Sequence, residues 1–327
     1  MTAETGALPL AATDQQRAAG MPRHHQLIFA ALLVFLLVAP FGLYPVFLMK
    51  VLCFALFACA FNLLLGYGGL LSFGHAAFFG MASYVSAHAA KVWGLTPELA
   101  ILTGTAAALV LGAAIGSLAI RRQGIYFAMV TLAFAQMVYF FSLQAPFTGG
   151  EDGIQSVPRG ALFGLIDLSP DINLYFVVLA VVFAGWLIIY RIIHSPFGQV
   201  LKAIRDNEPR AVSLGYRVNR YKLAVFVMSA TLAGLAGATK AIVFQLASLT
   251  DVYWTMSGEV VLMTLLGGMG TIFGPIVGAT VIVTMQNYLA GFGAWVTVTQ
   301  GGIFVIAVLL FREGIVGVLS KRLKKPL

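Results

Sequence analysis

Charge is scarce in this 327-residue chain: 20 Lys and Arg, 12 Asp and Glu, 10% of all residues. Soluble domains carry about 25%. An apolar content of 60% and a mean hydropathy of +0.93 exceed what a water-soluble fold of this length can hide. A soluble enzyme is excluded. Cysteine is nearly absent too. Cys53 and Cys59 cannot build a disulfide framework, and both lie in an apolar run where they read as small hydrophobes. The chain also lacks a G-x-x-x-x-G-K-[ST] phosphate loop, a His-Glu-x-x-His pair and any Ser/His/Asp or Cys/His grouping within its apolar segments. No catalytic residue and no metal site is predicted.

What the chain has instead is apolar length, repeated. Segments at about 27–44, 46–65, 71–90, 99–120, 125–143, 172–192, 222–246, 254–266, 272–290 and 294–311 stand out. Most approach the roughly 20 residues that a membrane helix needs. They predict an all-α polytopic membrane protein of about ten transmembrane helices. A polar tail at 1–26 precedes the membrane body at 27–312, and a basic tail follows at 313–327. The first segment, behind Arg17 and Arg23, looks like a signal peptide, but no small-x-small cleavage site follows, so it reads as an uncleaved helix. The short eighth segment predicts a broken, tilted or re-entrant span. With the N-terminus inside, ten crossings leave both termini cytoplasmic. Sixteen of the 20 basic residues then fall inside, Lys91 and Arg159 outside, and Lys50 and Lys240 within spans. This is the positive-inside asymmetry, and it played no part in drawing the spans. It explains the net charge of +8 without nucleic acid.

Two connections are long. The outer one, 144–171, sets Glu151, Asp152, Asp167 and Asp171 against Arg159 alone, among glycines and prolines that shape a surface loop. It reads either as a solvated turn or as a surface where an external partner docks on Glu151, Asp152 and Arg159. The inner one, 193–221, places Phe197, Val200, Leu201 and Ile204 at the spacing of one helical stripe. Asp206-Asn207-Glu208-Pro209 then supplies a cap and a first-turn proline for a second short helix, and Gly215 ends it. Two such helices predict a cytoplasmic knob that a soluble motor can push, with Arg205, Asp206, Asn207, Glu208, Pro209, Arg210 and Gly215 around its turn. The other reading is an amphipathic pair lying on lipid.

Ionised groups in mid-membrane cost about 2.5–3.5 kcal/mol each on insertion scales. Glu259, inside the eighth span, is therefore expected to pair with a basic or hydroxyl neighbour, Lys240 being one candidate. Lys50 and Lys240, near the outer ends of their spans, are expected to snorkel outward. On a helical wheel Ser72, His75, Ser83 and Ser86 share one arc of the third span, which reads as a close-packing face or as the lining of a pathway. Gly112 and Gly116, Ala230, Gly234 and Ala238, and Gly270, Gly274 and Gly278 recur at four-residue spacing, which predicts close helix approach. Leu65-Gly66-x-x-Gly69 is echoed by Leu266-Gly267-x-x-Gly270, as an internal repeat or as two glycine turns on one side.

Longer motifs are distinctive together. They are Asn62-Leu63-Leu64-Leu65-Gly66-Tyr67-Gly68-Gly69-Leu70-Leu71-Ser72-Phe73-Gly74-His75, Gly124-Ile125-Tyr126-Phe127-Ala128-Met129, Thr148-Gly149-Gly150-Glu151-Asp152-Gly153, Ala203-Ile204-Arg205-Asp206-Asn207-Glu208-Pro209-Arg210-Ala211 and Leu265-Leu266-Gly267-Gly268-Met269-Gly270-Thr271-Ile272-Phe273-Gly274-Pro275. This set closely resembles the branched-chain amino-acid ABC transporter permeases, over about 45–312, and the second of their two paired subunits more than the first. The resemblance implies a multi-pass permease of the bacterial inner membrane. It also implies a second permease (a paralogue before a second copy), two cytoplasmic ATPase subunits that bind the ATP, and a periplasmic substrate-binding protein. No cofactor is implied in this chain. The solutes implied are branched-chain or related hydrophobic amino acids, with urea and amides as the alternative. The wider ABC loop pattern is only partly met, because Pro209, Arg210 and Ala211 stand where Glu-Ala-Ala is expected. A competing class, a carrier or channel working alone, usually places ionisable groups at mid-membrane, and Glu259 is the one acid well inside a span.

Overall fold

The computed structural model describes residues 23–289, 291, 298–299, 301–302, 305, 309 and 314–323. The chain divides into two compact units, 1–42 and 43–327. In the first, α1 (Arg23–Val38) runs into a 3₁₀ turn, Ala39–Phe41, with Pro40 in its first positions. The second holds α2 (Pro45–Asn62), α3 (His75–Lys91), α4 (Pro97–Ala119), α5 (Ile125–Gln144), α6 (Asp171–His194), α7 (Pro196–Asp206), α8 (Glu208–Ser213), α9 (Val218–Phe244), α10 (Leu249–Val252), α11 (Trp254–Gly267), α12 (Gly274–Leu289) and α13 (Gly314–Leu323). Nine of the ten predicted segments are helices. The tenth, 294–311, lies almost wholly outside the described residues, as do residues 1–22 of the predicted tail, whose residues 23–26 already belong to α1.

Among the described residues, five helices are long and apolar enough to cross a membrane: Pro45–Tyr67, Pro97–Ala119, Ile125–Gln144, Asp171–His194 and Val218–Phe244. The first of these includes a π-helical turn, Leu63–Tyr67, at the end of α2. The other four predicted spans form helices of 16, 17, 14 and 16 residues. Two of them are short for a visible reason. Residues 68–74 leave the helix before α3 begins, so Ser72 is not on a helical face at all. At the head of α11, the chain folds into a short strand and the single turn α10 before Trp254.

Within the second unit, α9 is the central helix, packed against α2, α3 and α4. Small residues make its contact with α4 possible. A Cβ on Gly104 would stand 2.9 Å from Ala238 Cβ, one on Gly234 2.2 Å from Ala108 Cβ, one on Gly112 2.6 Å from Ala230 Cβ, and one on Gly116 2.7 Å from Phe226 Cδ1. The pairs advance four residues at a time in opposite directions, so two stripes of small side chains mesh along antiparallel helices. A Cβ on Gly237 would lie 2.0 Å from Phe79 O, which brings α3 equally close. In a bilayer, where lipid is as apolar as the helices, such close packing drives association.

Successive helices alternate in direction, so the connections gather at two ends. One end holds residues 68–74, the 120–124 turn, α7, α8 and the 268–273 turn. The other holds 92–96, the long loop 145–170 and 245–253. That loop is stitched down by β1 (Ile154–Gln155), which pairs antiparallel with β4 (Leu246–Ala247), and it carries the small hairpin β2 (Ala161–Leu162) and β3 (Ile166–Asp167).

The meshed stripes make a direct prediction. Gly234→Ala should lower the thermal stability of the purified protein by at least the roughly 1–3 kcal/mol of a typical overpacked core. Gly258→Ala, on α11 with nothing within 4 Å, should leave stability equal or higher. Equal melting temperatures for Gly234→Ala and the parent would mean that α4 and α9 are not in this contact.

Candidate coupling site

The inner loop folds as two capped helices. Ser195 Oγ accepts from Gly198 N–H at 3.3 Å to open α7, and Asn207 Oδ1 accepts from Arg210 N–H at 3.0 Å to open α8. The second cap is Asn207. Asp206 instead closes α7 and pairs with Arg205, Nη2 to Oδ1 at 3.1 Å. Pro209 stands in the first turn of α8, and Gly215 follows its end with φ +86°. The apolar stripe turns inward: Leu201 and Ile204 are buried, Ile204 packs with Ala211, Val218, Val200 and Tyr221, and the Phe197 ring stacks on Tyr221 at 5.5 Å. The stripe is taken up largely by the protein's own chain. What faces outward is Asp206, Asn207, Pro209 and Arg210, then Val212, Leu214, Tyr216 and Arg217.

Glu208 is not part of that outward surface. It accepts from Lys222 Nζ at 2.8 Å and from Gln123 Nε2 at 3.1 Å, pinning the hairpin to the start of α9 and to the α4–α5 turn. The Lys222 side chain is buried. Lys202 lies over the Tyr67 ring at 5.6 Å; burial, and then the neighbouring Arg205 cation, push its pKa below the ordinary lysine value, with Asp206 partly offsetting them.

Beneath the hairpin the two echoed glycine motifs meet. A Cβ on Gly66 would lie 2.6 Å from Gly270 N, so the α2 π turn and the α11–α12 turn touch backbone to backbone. Asn62 joins them: its Nδ2 donates to Thr271 O at 2.8 Å, and its Oδ1 accepts from Gly270 N–H at 2.9 Å. Arg205 reaches down from α7 and donates from Nη1 to Gly66 O. The two echoed glycine turns thus lie on one side of the bundle. In the sequence Asn62 closes the apolar stretch that follows Lys50 in α2, without a partner that spacing could reveal.

The third-span residues face their own bundle. His75 Nε2 is 2.8 Å from Ser229 Oγ, which in turn donates to Ala60 O, and the imidazole meets the rings of Phe61, Phe78 and Phe226 edge-on. Ser86 donates to Ala238 O at 3.3 Å, and Ser72 accepts from Gly74 N–H at 3.1 Å. Ser83 is buried, its hydroxyl unpartnered among the described residues. Each is fully buried within the chain, as close packing requires.

The charges in spans do not pair as expected. Glu259 accepts from Gln286 Nε2 at 3.0 Å, while Lys240 forms its ion pair with Asp251 on α10 and lies 5.9 Å from the rings of Phe79 and Phe244. This pair leaves both side chains largely buried within the chain. Lys50 is half-buried and lines a cavity of about 340 Å³ with Tyr44, Phe47, Phe244 and Asn287.

At the opposite end Glu151 and Asp152 are exposed on a 3₁₀ turn. Arg159 differs from them. Its guanidinium pairs with Asp171 at 2.7 Å and donates to Ser169 O at 3.2 Å and Val243 O at 3.1 Å, leaving its side chain 15% exposed. It clamps the loop to α6 and α9 through Nη1 and Nη2, while its Nε is buried without a partner among the described residues. Nearby Asp167 accepts from Ser169 N–H and Oγ, which hold its carboxyl below the ordinary pKa.

The anchor at Glu208 is testable. Removing its carboxylate leaves a buried ammonium, which places the loss for Glu208→Ala between about 1 kcal/mol for an exposed pair and about 3 kcal/mol for a buried one. Amide exchange should accelerate across 196–215 while α3 and α4 keep their protection. An unchanged exchange pattern would show that the hairpin is held by its apolar contacts alone.

The family model for the permease component of branched-chain amino acid transport systems matches residues 44–311. The high-affinity branched-chain amino acid transport system permease protein LivM of Salmonella typhimurium is 29% identical over 290 residues, covering 80% of this chain and 67% of the relative. LivM of Escherichia coli K12 is 28% identical over 286 residues, with the same coverage. The ribose import permease protein RbsC of Bacillus subtilis is 29% identical over 195 residues, covering 55% of this chain and 58% of that relative.

Proposed function

The chain belongs to the branched-chain amino acid transport system permease family, and on that premise we propose that it is the membrane subunit of an ATP-driven importer of branched-chain or related hydrophobic amino acids. Its ten spans run with both termini in the cytoplasm of a bacterial inner membrane. The end bearing α7 and α8 is the cytoplasmic one, and 145–170 faces the periplasm. A second permease, a paralogue, completes the transport path. Two separate ATPase subunits supply the energy, and a periplasmic binding protein delivers the solute to the outer face around Glu151 and Asp152.

One observation carries this reading. The α7–α8 hairpin is fastened into the bundle through Glu208 and Arg205, yet it leaves Val212 57% and Leu214 69% exposed beside Arg210 and Arg217. A rigid projection with an apolar tip and a basic rim is what a partner protein can grip and move. A carrier working alone has no use for one. The amino-acid solute is supported by similarity to LivM at 29% identity over 80% of the chain, against 55% of the chain for the ribose permease of Bacillus subtilis and 26% identity over 70% for that of Escherichia coli K12.

Two measurements test the reading. Vesicles holding the assembled complex should take up leucine, isoleucine and valine only with ATP and the matched binding protein. Uptake through this subunit alone, indifferent to nucleotide, would overturn the assignment. In the second, Val212→Asp with Leu214→Asp should weaken recovery of the ATPase subunits on purification by about tenfold or more, as truncation of interface anchors does. Undiminished recovery would remove the hairpin from the interface.

A further inference from the structure

Among the described residues, the hairpin is tied to the bundle by polar bonds of two kinds. Glu208 fixes it to the start of α9 and to the α4–α5 turn. Arg205 does something else. Its Nε and Nη2 hold Asp206 of the same hairpin at 3.2 and 3.1 Å, while Nη1 holds Gly66 O in the π turn of α2. One planar guanidinium thus grips the moving part and the bundle at once, through charge-assisted bonds with fixed geometry. Gly66 O is open to it because carbonyls in the last turn of a helix lack intrahelical partners.

The way to Gly66 passes two glycines, of which Gly69 leaves no room for a side chain beside the Arg205 stem. A Cβ on Gly69 would lie 2.8 Å from Arg205 Cγ, and a Cβ on Gly270 would lie 3.8 Å from Arg205 Nη1. Asn62, one helical turn before Gly66, then passes the connection on to Gly270 and Thr271. Behind these, a Cβ on Gly314 would lie 2.3 Å from Gly268 Cα, so the start of α13 rests against the same turn. A π turn is a local over-wide stretch of helix that occurs mostly at functional positions. Here it is the segment on which Arg205 pulls.

We propose that Arg205 and Asn62 are the positioning residues that carry hairpin movement to the cytoplasmic end of the transport path, Arg205 linking α7 to the α2 π turn and Asn62 making that turn and the α11–α12 turn move as one. The proposal rests on the importer reading above and deepens it. Neither residue touches solute. Asn62 is buried and off the outward surface of the hairpin, so its loss leaves ATPase docking intact.

The test uses the full complex in proteoliposomes, with ATP hydrolysis and leucine uptake measured in the same samples. Arg205→Ala and Asn62→Leu should each keep ATP hydrolysis near the parent rate. Leucine moved per ATP should fall about tenfold, within the usual range of site-to-site coupling. Because both act through one junction, the double variant should be little worse than either single one. Arg205→Lys, which keeps the charge and loses the fork, should recover only part of the ratio. Gly69→Ala retains both polar side chains while displacing the Arg205 stem, and should reproduce the Arg205→Ala loss if Arg205→Ala itself fails to assemble. A normal leucine-to-ATP ratio in Asn62→Leu and Gly69→Ala overturns the proposal. So does a fall of hydrolysis and uptake in proportion, which would place these residues in ATPase docking. Should the parent complex itself show no nucleotide-dependent uptake, the importer reading falls and takes this one with it.

Discussion

The close approach of α4 and α9 is the constraint on which the rest of the structure depends. In lipid no hydrophobic force separates a helix–helix contact from a helix–lipid one, so shape and polar bonds decide the packing. Glycine and alanine at four-residue spacing let these two backbones mesh, and α3 closes onto α9 by the same means at Gly237. With that three-helix core fixed, α2 has one side left for α9 and another for α6 and α12. Its end then falls where the π turn meets the α11–α12 turn.

Polar side chains complete the arrangement at depths where water cannot. His75, Ser229 and the Ala60 carbonyl form a chain between α3, α9 and α2. Thr264 donates to Val260 O at 2.8 Å within α11 and approaches Ala58 O of α2 at 3.4 Å. Ser257 accepts from Ala76 N–H at 2.9 Å, which serves one of the four open donors at the start of α3. The ion pair of Lys240 and Asp251 secures α10 against the outer end of α9. Apart from the Thr264–Val260 bond and the Lys240–Asp251 pair, these join elements far apart in the chain, and each satisfies a polar group that lipid would penalise.

The two ends differ in what they offer. At the end that bears 145–170 the long loop is sewn down by β1–β4 pairing and by Arg159, so its exposed acids sit on a firm base. At the other end the hairpin rises on capped helices, with its apolar stripe internal and its tip bare. A firm loop surface suits docking, and a projecting, jointed hairpin suits transmission of movement. The division of labour in the importer reading follows from this contrast.

Sequence alone determined the local features, because these depend on neighbours in the chain. Apolar length gave nine helices near their predicted places, and caps and a terminating glycine gave the hairpin. Four-residue spacing of small residues marked the faces that come together. Pairings across the fold depend on which turns share an end and at what height, and no periodicity encodes that. Asp251 reached Lys240 because the chain forms a single turn before α11, so Glu259 found Gln286 instead. Ser72 left the helical arc because residues 68–74 do not form helix. Asn62 and Arg205 became partners of the glycine turns only once four distant segments met at one end, and that meeting is set by three-dimensional packing.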